Sequence, residues 1–284
     1  MQIKEYLNKV FSGEALEILQ SLPDSIVDCC ITSPPYWSLR NYEHPKQIGM
    51  EKTPEEYVDK IRRVFRQVQR VLKDTGTLWL NIDDTYSGSS VAGRTDIDRK
   101  FQYAKGTSLE ALKVERDTGL PPKCLVGIPW RVALGMQHDG WILRSDNIWE
   151  KPNAMCELVY DRCTREHEYF FHFAKSQKYY YKHEEMYERR SCPLDGERKG
   201  RSVWSVNNKS GKGTNYAIFP EELIKPIVLA CCPTEGIVLD PFIGTGTVGK
   251  VALKLKRNFI GIDLKNAEEV ERNIYKSKPG FLSI

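Results

Sequence analysis

A strand that runs into an acidic residue, a glycine-rich turn and a helix constrains the fold of this chain more than any other feature. The segment reads Ile237-Val-Leu-Asp240-Pro-Phe-Ile-Gly244-Thr-Gly246-Thr-Val-Gly249. Its glycines let the backbone approach a ligand closely, and the following helix offers free N–H groups at its N-terminus. The spacing matches the Gly-x-Gly-x-x-Gly dinucleotide fingerprint, with Asp263 at about the expected distance. The segment predicts a nucleoside site, and alone it does not separate a nicotinamide cofactor from another nucleoside.

The place of this segment in the chain limits the topology. Only 21 of the 284 residues follow Asp263, too few to complete a doubly wound sheet. The other strands of the sheet must come from residues before this segment. The nucleotide-binding segment is therefore one of the last parts of the sheet along the chain. The length suits one α/β domain with an insertion, or two small domains. With 40% hydrophobic and 11% aromatic residues, the chain has ample material for a folded core.

A second motif, Thr32-Ser-Pro-Pro-Tyr-Trp37, directly follows the apolar run 25–31. The prolines stop a strand because neither has an N–H for the ladder, and each restricts the residue before it. The stiff loop offers the Ser33 hydroxyl, carbonyl oxygens with no internal partner, and the rings of Tyr36 and Trp37. These groups suit a flat polar ring that stacks on the aromatics and donates from an amino group to the oxygens. An ordinary strand-to-turn junction with two packed aromatics is the alternative.

Together the two motifs resemble those of the DNA amino-methyltransferases that use S-adenosylmethionine, in the permuted arrangement with the catalytic motif first and the cofactor motif last. Residues 32–37 are similar to the catalytic motif in its cytosine-N4 form, because adenine-N6 enzymes more often carry Asp or Asn in place of Ser33. The resemblance covers most of the chain. It implies an α/β, Rossmann-like methyltransferase fold, a mostly parallel sheet with helices on both faces, formed by residues 1–284 as a single catalytic domain.

The resemblance also implies roles for individual residues. The implied catalytic residues are Ser33, Pro34, Pro35 and Tyr36. The implied cofactor-binding residues are Glu14, Phe219, Pro220, Asp240, Pro241, Phe242, Gly244, Thr245, Gly246 and Asp263, the last through the ribose. Two residues depart from the family pattern: Glu14 stands where Asp is commoner, and Cys163 replaces a usual Pro. Neither departure touches the central chemistry.

Methylation of an exocyclic amine explains why such a loop is useful. The amine of cytosine is a poor nucleophile because its lone pair is delocalised into the ring. Hydrogen bonds from the amine to oxygens at Ser33 and Pro34 would favour a more tetrahedral nitrogen. The methyl group on a sulfonium is already activated, so in-line positioning is much of the remaining task. A base inside a duplex is out of reach, so we expect it to be flipped out and stacked on Tyr36.

Two inserted segments are candidates for contact with DNA. In residues 84–120, apolar periodicity vanishes and Ser, Gly and charge rise, which predicts a long loop over the active site. Residues 183–213 combine basic residues with Asn, which suits phosphate and base contacts and predicts target recognition. A solvated surface loop is the alternative for this segment. The candidate DNA-binding residues are Arg189, Arg190, Arg198, Lys199, Arg201, Asn207 and Asn208.

Local patterns predict several elements of the core. A helix is predicted over 54–73, with a capping box formed by Thr53 and Glu56 and an outer face of arginines that is more typical of a solvated surface than of a DNA surface. A strand is predicted over 77–81 and a helix from Pro129 to about His138. Further strands are predicted near 141–149 and 168–173, the second with a continuation through 179–181.

Other features narrow the class of protein. No apolar stretch approaches membrane-spanning length and the N-terminus is no signal peptide, so we expect a soluble, cytoplasmic protein. The resemblance to DNA methyltransferases implies a prokaryotic, archaeal or phage origin. The adjacent pairs Cys29-Cys30 and Cys231-Cys232 are interpreted as small core residues. We expect no metal site, because Cys-x-x-Cys is absent and a strand would turn His172 away from its odd-numbered neighbours. The four residues considered for zinc are Cys156, Cys163, His167 and His172.

These observations predict a site-specific methyltransferase that acts on cytosine N4 in double-stranded DNA with S-adenosyl-L-methionine as its cofactor. We expect a monomer or a homodimer, and a cognate restriction endonuclease for the same site is the further partner considered. Three alternatives stay open: an adenine-N6 methyltransferase of the same fold, a DNA-binding protein without turnover, and a nicotinamide dehydrogenase. In the last, the Pro-Pro-Tyr loop would have no role.

Overall fold

The structure, a computed structural model, describes residues 3–88, 116–154, 156–157, 159–186, 200–210 and 217–276, with the backbone alone at 209–210 and 217–218. Strands and helices alternate through this part of the chain. The strands are β1 (Lys9–Ser12), β2 (Val27–Thr32), β3 (Leu72–Ile82), β4 (Ile142–Glu150), β5 (His167–Ala174), β6 (Val203–Ser205), β7 (Lys209–Ser210), β8 (Ala217–Ile218), β9 (Ile237–Asp240) and β10 (Asn258–Asp263). The α-helices are α1 (Ala15–Ser21), α2 (Pro54–Val71), α3 (Ile128–His138), α4 (Glu221–Cys231), α5 (Thr247–Lys254) and α6 (Ala267–Lys276).

Eight of these strands form one sheet, in the order β1-β10-β9-β2-β3-β5-β4-β6. Strand β5 is antiparallel to both of its neighbours, whereas the other neighbouring pairs of this sheet are parallel. Strands β7 and β8 form a separate antiparallel pair. The predicted mostly parallel sheet is therefore confirmed.

Helices cover both faces of the sheet, as predicted. The core on one face contains apolar residues of α1, α2 and α3, and the core on the other contains those of α4, α5 and α6. The central strand β2 alternates between the two cores, with Cys30 in the first and Cys29 in the second. All four cysteines of the two adjacent pairs are fully buried, which confirms that they are small core residues.

The connections of the sheet fix where a ligand can bind. From β9 the chain passes through α5 to β10 on one side, and from β2 it passes through α2 to β3 on the other. Because β9 and β2 are parallel neighbours whose connections lead in opposite directions, a crevice opens at their carboxyl ends. Both sequence motifs begin at these ends, at Asp240 and at Thr32.

The local predictions agree with the structure apart from the ends of three elements and the role of the arginines on α2. The first difference is that strand β3 extends over Leu72–Ile82, whereas a strand was predicted over 77–81. Helix α2 has the predicted capping box, in which the Thr53 side chain accepts from the Glu56 N–H and the Glu56 carboxylate accepts from the Thr53 N–H, but the helix ends at Val71. Strand β5 ends at Ala174, so its predicted continuation through 179–181 is wrong.

The arginines of α2 were interpreted as a solvated face, and three of them instead connect helices. The Arg62 guanidinium donates two hydrogen bonds, of 2.9 and 2.6 Å, to the carboxylate of Asp139 at the end of α3, and Arg66 donates a third, of 2.9 Å. Arg70 donates to the carbonyl oxygens of Leu19 and Leu22 at the end of α1. All three side chains are therefore engaged within the fold.

In the part of the chain that the structure describes, no helix is long and apolar enough to cross a membrane. No cluster of three or more His, Cys, Asp or Glu residues within the same part of the chain has the geometry of a metal site.

Candidate active site

The carboxyl ends of the strands surround a cavity of about 280 Å³, and most of the predicted site residues line it. From the predicted catalytic set these are Ser33, Pro34, Pro35 and Tyr36. From the predicted cofactor set they are Glu14, Phe219, Asp240, Pro241, Phe242, Gly244, Thr245 and Asp263, and from the predicted DNA-binding set the cavity includes Asn208. The structure therefore brings segments from both ends of the chain into one cavity.

Four predicted site residues do not line this cavity. Pro220 occupies the N-cap position of α4. Gly246 is the N-cap of α5, with a left-handed φ of +83°, and a Cβ on it would lie 2.6 Å from Cγ1 of Ile274. Gly246 thus permits close packing of α5 on α6. Arg201 and Asn207 are exposed outside the cavity. Arg189, Arg190, Arg198 and Lys199 lie outside the described residues.

Asp240 lies buried at the end of β9 and ties the two motifs together. Its Oδ1 accepts hydrogen bonds from the Thr32 hydroxyl at 2.6 Å and from the Phe242 N–H at 3.1 Å. Burial raises the pKa of this carboxyl group to about 7, and the negative charge of Asp263 adds to that rise, against the two hydrogen bonds. The carboxyl group therefore gains or loses its proton near neutral pH, and a cationic ligand would favour the charged form.

Asp263 ends the neighbouring strand β10 and is only partly buried. Its Oδ1 accepts from the N–H groups of Lys265 and Asn266, at 3.0 and 2.6 Å, which fixes the turn into α6. The carbonyl oxygen of Asp263 also accepts from the N–H of Gly13, so the loop carrying Glu14 lies beside it. This places two carboxylates on the same wall of the cavity.

The side chain of Tyr36 is held by polar groups from two strands and from its own loop. Its hydroxyl lies 2.8 Å from Oδ1 of Asn81 on β3 and 2.7 Å from Oε2 of Glu168 on β5, and it shares its single hydrogen between these acceptors. The Ser33 hydroxyl donates to the Tyr36 oxygen at 3.1 Å. Burial, and then the charge of Glu168, raise the pKa of Tyr36 well above its ordinary value, so the phenol stays neutral.

Behind Tyr36 lies a cluster of charged residues that the sequence analysis did not identify. Lys151 is paired with Oε1 of Glu168, and its ammonium group lies 4.5 Å from the centre of the Trp149 ring. Arg165 is paired with Asp83. Burial, followed by the nearby charge of Glu168, raises the pKa of Asp83 to about 6. The cluster holds two acids and two bases next to the proposed catalytic loop.

The sequence does carry a signal for Glu168 of this cluster and for Asn81, the other partner of the Tyr36 hydroxyl. Asn81 ends the apolar run 77–81, and Glu168 begins the apolar strand 168–173. A polar side chain at the end of a buried strand needs a partner, which here is the Tyr36 hydroxyl in both cases. The partner of each side chain depends on how β3 pairs with β5, and neither segment alone predicts that pairing.

The backbone of the Ser33–Tyr36 loop is fixed from outside the motif. The Tyr57 hydroxyl of α2 donates to the Pro35 carbonyl at 2.9 Å, and the Trp37 indole donates to the Glu51 carbonyl at 3.0 Å. The expectation that the loop carbonyls have no internal partner is therefore wrong for Pro35. Among the described residues, no donor contacts the carbonyl oxygens of Ser33 and Pro34, so both can accept from a ligand.

The fold and the cavity define a class of protein: a Rossmann-like enzyme whose nucleoside cofactor binds at the carboxyl ends of the sheet strands. The family model described as DNA methylase, of the N6/N4 type, matches residues 27–273. The chain belongs to this N6/N4 DNA methylase family. The methyl donor of the family is S-adenosyl-L-methionine, which confirms the predicted cofactor.

Curated relatives are similar over almost the whole chain. The Type II methyltransferase M.Cfr9I of Citrobacter freundii is 46% identical over 264 residues, which cover 92% of this chain and 85% of the relative. The Type II methyltransferase M.SmaI of Serratia marcescens is 44% identical over 256 residues, which cover 90% and 86%.

Solved structures show the same fold at lower identity. The PvuII DNA methyltransferase, described as cytosine-N4-specific, matches with a TM-score of 0.68 and 17% identity over 96% of this chain and 87% of its own. A putative DNA modification methylase from Thermus thermophilus, complexed with S-adenosyl-L-methionine, matches with a TM-score of 0.63 and 23% identity over 95% of both chains. These matches confirm the predicted methyltransferase fold.

The cavity fits the cofactor of the family in shape and in charge. At Gly244 the backbone is left-handed, and a Cβ built on it would meet only the Phe242 carbonyl oxygen, at 3.8 Å, so this wall is open to a ligand. Asp240 and Asp263 offer acceptors for an ammonium group and for ribose hydroxyls. The Phe242 ring, partly buried against the first core, supplies an apolar surface.

Proposed function

We propose that this protein transfers a methyl group from S-adenosyl-L-methionine to the exocyclic N4 amine of a cytosine flipped out of double-stranded DNA. The observation that carries the proposal is the Ser33–Tyr36 loop, whose residues line the same cavity as Asp240 and Asp263. Family membership supports methylation of an amine on DNA. The serine at position 33, and a structural neighbour described as cytosine-N4-specific, support cytosine as the target.

The cofactor-binding half of the cavity comprises the ends of β9 and β10. Asp240 and the turn at 244–245 would hold the methionine end, where the carboxylate would pair with the amino group. Asp263 would accept hydrogen bonds from the ribose hydroxyls, and Glu14 lines the same half. When bound, the cofactor supplies a methyl group that its sulfonium already activates.

The base-binding half comprises the Ser33–Tyr36 loop. The carbonyl oxygens of Ser33 and Pro34 would accept hydrogen bonds from the amine and orient its lone pair towards the cofactor half. The Tyr36 ring would stack on the face of the base. The hydrogen bonds between its hydroxyl and the side chains of Asn81 and Glu168 fix the ring before a base binds. Binding would therefore cost this side chain little conformational entropy.

The same hydrogen bonds connect the cavity with the charged cluster. The Ser33 hydroxyl donates to Tyr36, and the Tyr36 hydroxyl contacts Glu168, whose other oxygen is paired with Lys151. The position of the Tyr36 ring is therefore coupled to the charges of Glu168 and Lys151.

DNA is the macromolecular partner in this proposal, and the exposed residues Arg201, Asn207 and Asn208 are its described candidate contacts. The Type II names of the relatives support a cognate restriction endonuclease that acts on the same site. Because the substrate is DNA, we place the activity in the cytoplasm of a prokaryotic host.

The base that is methylated tests the proposal directly. The chain is expressed in a host that lacks its own DNA methylation, the DNA is digested to nucleosides, and the products are separated and weighed by mass spectrometry. We expect N4-methylcytosine in cells that carry the wild-type chain. A matched culture that expresses Asp240→Ala, in which a main contact to the cofactor is lost, should give none.

Adenine N6 is the second candidate, because the matching family contains both kinds of enzyme and a serine oxygen accepts from either amine. In the same experiment, N6-methyladenine without N4-methylcytosine would establish this alternative. DNA without either modified nucleoside would contradict both.

A further inference from the structure

The connection between β4 and β5, residues 152–166, is here called the rim loop, and the structure describes it apart from residues 155 and 158. Lys151 precedes it and Glu168 lies just after it, and both line the cavity. The Lys151 N–H donates to the Glu166 carbonyl at 2.7 Å and closes the base of the loop. The rim loop therefore begins and ends at the cavity wall. It belongs to neither of the two segments proposed to contact DNA.

Residues of both neighbouring segments hold the rim loop. On one side the Asp161 carboxylate is paired with Lys123 at 2.6 Å, and the Arg162 guanidinium lies 4.0 Å from the centre of the Tyr86 ring. On the other side the Asn153 side chain and the Asn208 backbone exchange two hydrogen bonds, of 3.0 and 2.7 Å.

Between these contacts the rim loop presents an aromatic side chain to solvent. Tyr160 is 97% exposed, and its neighbour Val159 is 37% exposed. Single exposed apolar residues are common and need no explanation. Tyr160 differs because the residues after it, Asp161 and Arg162, contact Lys123 and Tyr86, and because the loop that carries it begins and ends at residues of the cavity wall. A ring on such a loop is accessible to a large ligand that covers the cavity mouth.

The charges of the rim loop favour stacking over attraction to phosphate as the role of Tyr160. Arg162 is paired with Glu157, and Lys123 with Asp161, so these cations are already neutralised. The aromatic face of a tyrosine stacks on any base, and stacking of this kind tolerates every sequence. Side chains that enter a duplex also separate neighbouring base pairs.

We propose that Tyr160 inserts into the DNA duplex at the position that the target base leaves, and stacks on the adjacent bases while the target base occupies the cavity. This inference rests on the proposed function in one respect, namely that the base must leave the duplex to reach the Ser33–Tyr36 loop. Tyr160 is thus a positioning residue, because it acts on the DNA and not on the reacting atoms.

The test compares two duplexes that contain the recognition site, identified beforehand by sequencing that detects methylated bases. In one duplex the target base is paired, and in the other it lies opposite an abasic position and is already free. Single-turnover transfer of a radioactive methyl group is measured for the wild type and for Tyr160→Ala. We expect the variant to be slower by about tenfold or more on the paired duplex, because one stacking contact is lost, and to be within about twofold of wild type on the abasic duplex.

Three controls separate insertion from a general defect. Tyr160→Trp keeps a stacking ring and should retain the rate on the paired duplex. Leu134→Ala removes an exposed apolar side chain of α3 that does not line the cavity, and should change neither rate. The affinity of Tyr160→Ala for S-adenosyl-L-methionine should equal that of wild type, since the ring contacts no part of the fold.

An unchanged rate of Tyr160→Ala on the paired duplex would overturn this inference. Equal losses on both duplexes would also overturn it, because they would indicate an ordinary contact with DNA. The radioactive assay counts methyl groups on any base, so a result in favour of adenine would alter the proposed target and leave the inference standing. Absence of transfer by the wild type would overturn the proposed function, and the inference with it.

Discussion

Asp240 and Asp263 end adjacent strands and yet lie in different surroundings, and this difference controls how the site responds to pH. Asp240 is buried and its pKa is raised to about 7, whereas Asp263 is partly exposed and takes part in a turn. In the unfolded chain the Asp240 carboxyl would lose its proton near pH 4. The folded protein therefore binds this proton more tightly than the unfolded chain does.

The first prediction follows from the sign of that difference. The stabilisation by the Asp240 proton is complete below about pH 4 and is lost as the pH rises through 7, so the free energy of unfolding should fall across this window by up to about 1.4 kcal/mol per pH unit. Asp240→Asn should remove this part of the slope. Denaturant unfolding of the cofactor-free protein at pH 5 and pH 7.5 measures it. The raised pKa of Asp83 acts in the same direction in both proteins, so the difference between them is the quantity to compare.

The second prediction concerns binding at Asp263. Asp263→Ala should weaken binding of S-adenosyl-L-methionine by about 1–3 kcal/mol, the contribution of a charge-assisted hydrogen bond to a ribose hydroxyl. Asp263→Asn is the matched control for the fold, since its amide oxygen can still accept from Lys265 and Asn266 while the charge is gone. Titration calorimetry should show weaker binding by both variants, and full affinity in both would contradict the role of Asp263.

The residues around Tyr36 show what the sequence could not reveal about the site. The motif itself, with Asp240 and Asp263, was predicted from local patterns because each stands at the end of an apolar strand. The partners of the Tyr36 hydroxyl, Asn81 and Glu168, come from distant parts of the chain and meet only through the pairing of β3 with β5. Contacts of that kind depend on register, which periodicity does not specify.

At the scale of elements, the turn between β9 and α5 contains two glycines that have different roles. Gly246 packs against Ile274 of α6, whereas Gly244 faces the cavity with open space beside it. Both have a left-handed backbone, so an alanine at either position has a strain cost of about 1–2 kcal/mol. They differ in what the added methyl group would meet.

The third prediction uses this matched pair. Gly246→Ala should lose more stability than Gly244→Ala, because its methyl group would meet Ile274 at 2.6 Å in addition to the backbone strain. Gly244→Ala should instead lose the larger share of affinity for the cofactor. Chemical denaturation and calorimetry on both variants give the two comparisons. Equal effects on stability and on affinity would show that the two glycines do not have separate roles.

Elements with strong internal signals were predicted well, and those fixed by distant contacts were not. The capping box and apolar stripe of α2 are local, and both are present in the structure. The position at which β5 ends is instead determined by contacts with distant residues. Lys175 turns away there and donates to the Leu72 carbonyl, and Tyr181 stacks on the buried His172, so the apparent continuation of the strand packs as a loop. An aromatic run predicts burial, but it does not indicate the form of backbone that achieves it.

At the scale of the whole molecule, the late position of the cofactor motif predicted that the other strands of the sheet come from upstream, as they do. The target sequence does not follow from any motif, because readout of bases depends on how DNA is docked. The described part of the chain places Asn208 at the cavity and Arg201 on the surface. The other candidates in 183–213 stay predictions.

The fourth prediction assigns different roles to the two inserted segments. Neutralising the basic residues of 183–213 should relax or abolish the methylated sequence motif, since these residues would make the phosphate and base contacts. Neutralising charges in 84–120 should lower the level of methylation and keep the motif. Sequencing that detects methylated bases, in a host that expresses each variant, distinguishes the two. The reverse pattern would show that 84–120 selects the target.

The central claim is that the Ser33–Tyr36 loop binds the amine that is methylated. The most direct measurement is the single-turnover rate of methyl transfer to duplex DNA by Ser33→Ala and Tyr36→Ala, with the affinity for S-adenosyl-L-methionine measured in parallel. We predict that both rates fall while the affinity for the cofactor changes little. For Ser33→Ala the reason is the loss of the hydroxyl that donates to Tyr36, and for Tyr36→Ala, with a fall of about tenfold or more, it is the loss of a stacking contact with the base. Wild-type rates in both variants would contradict the claim and would mean that the loop is only a scaffold.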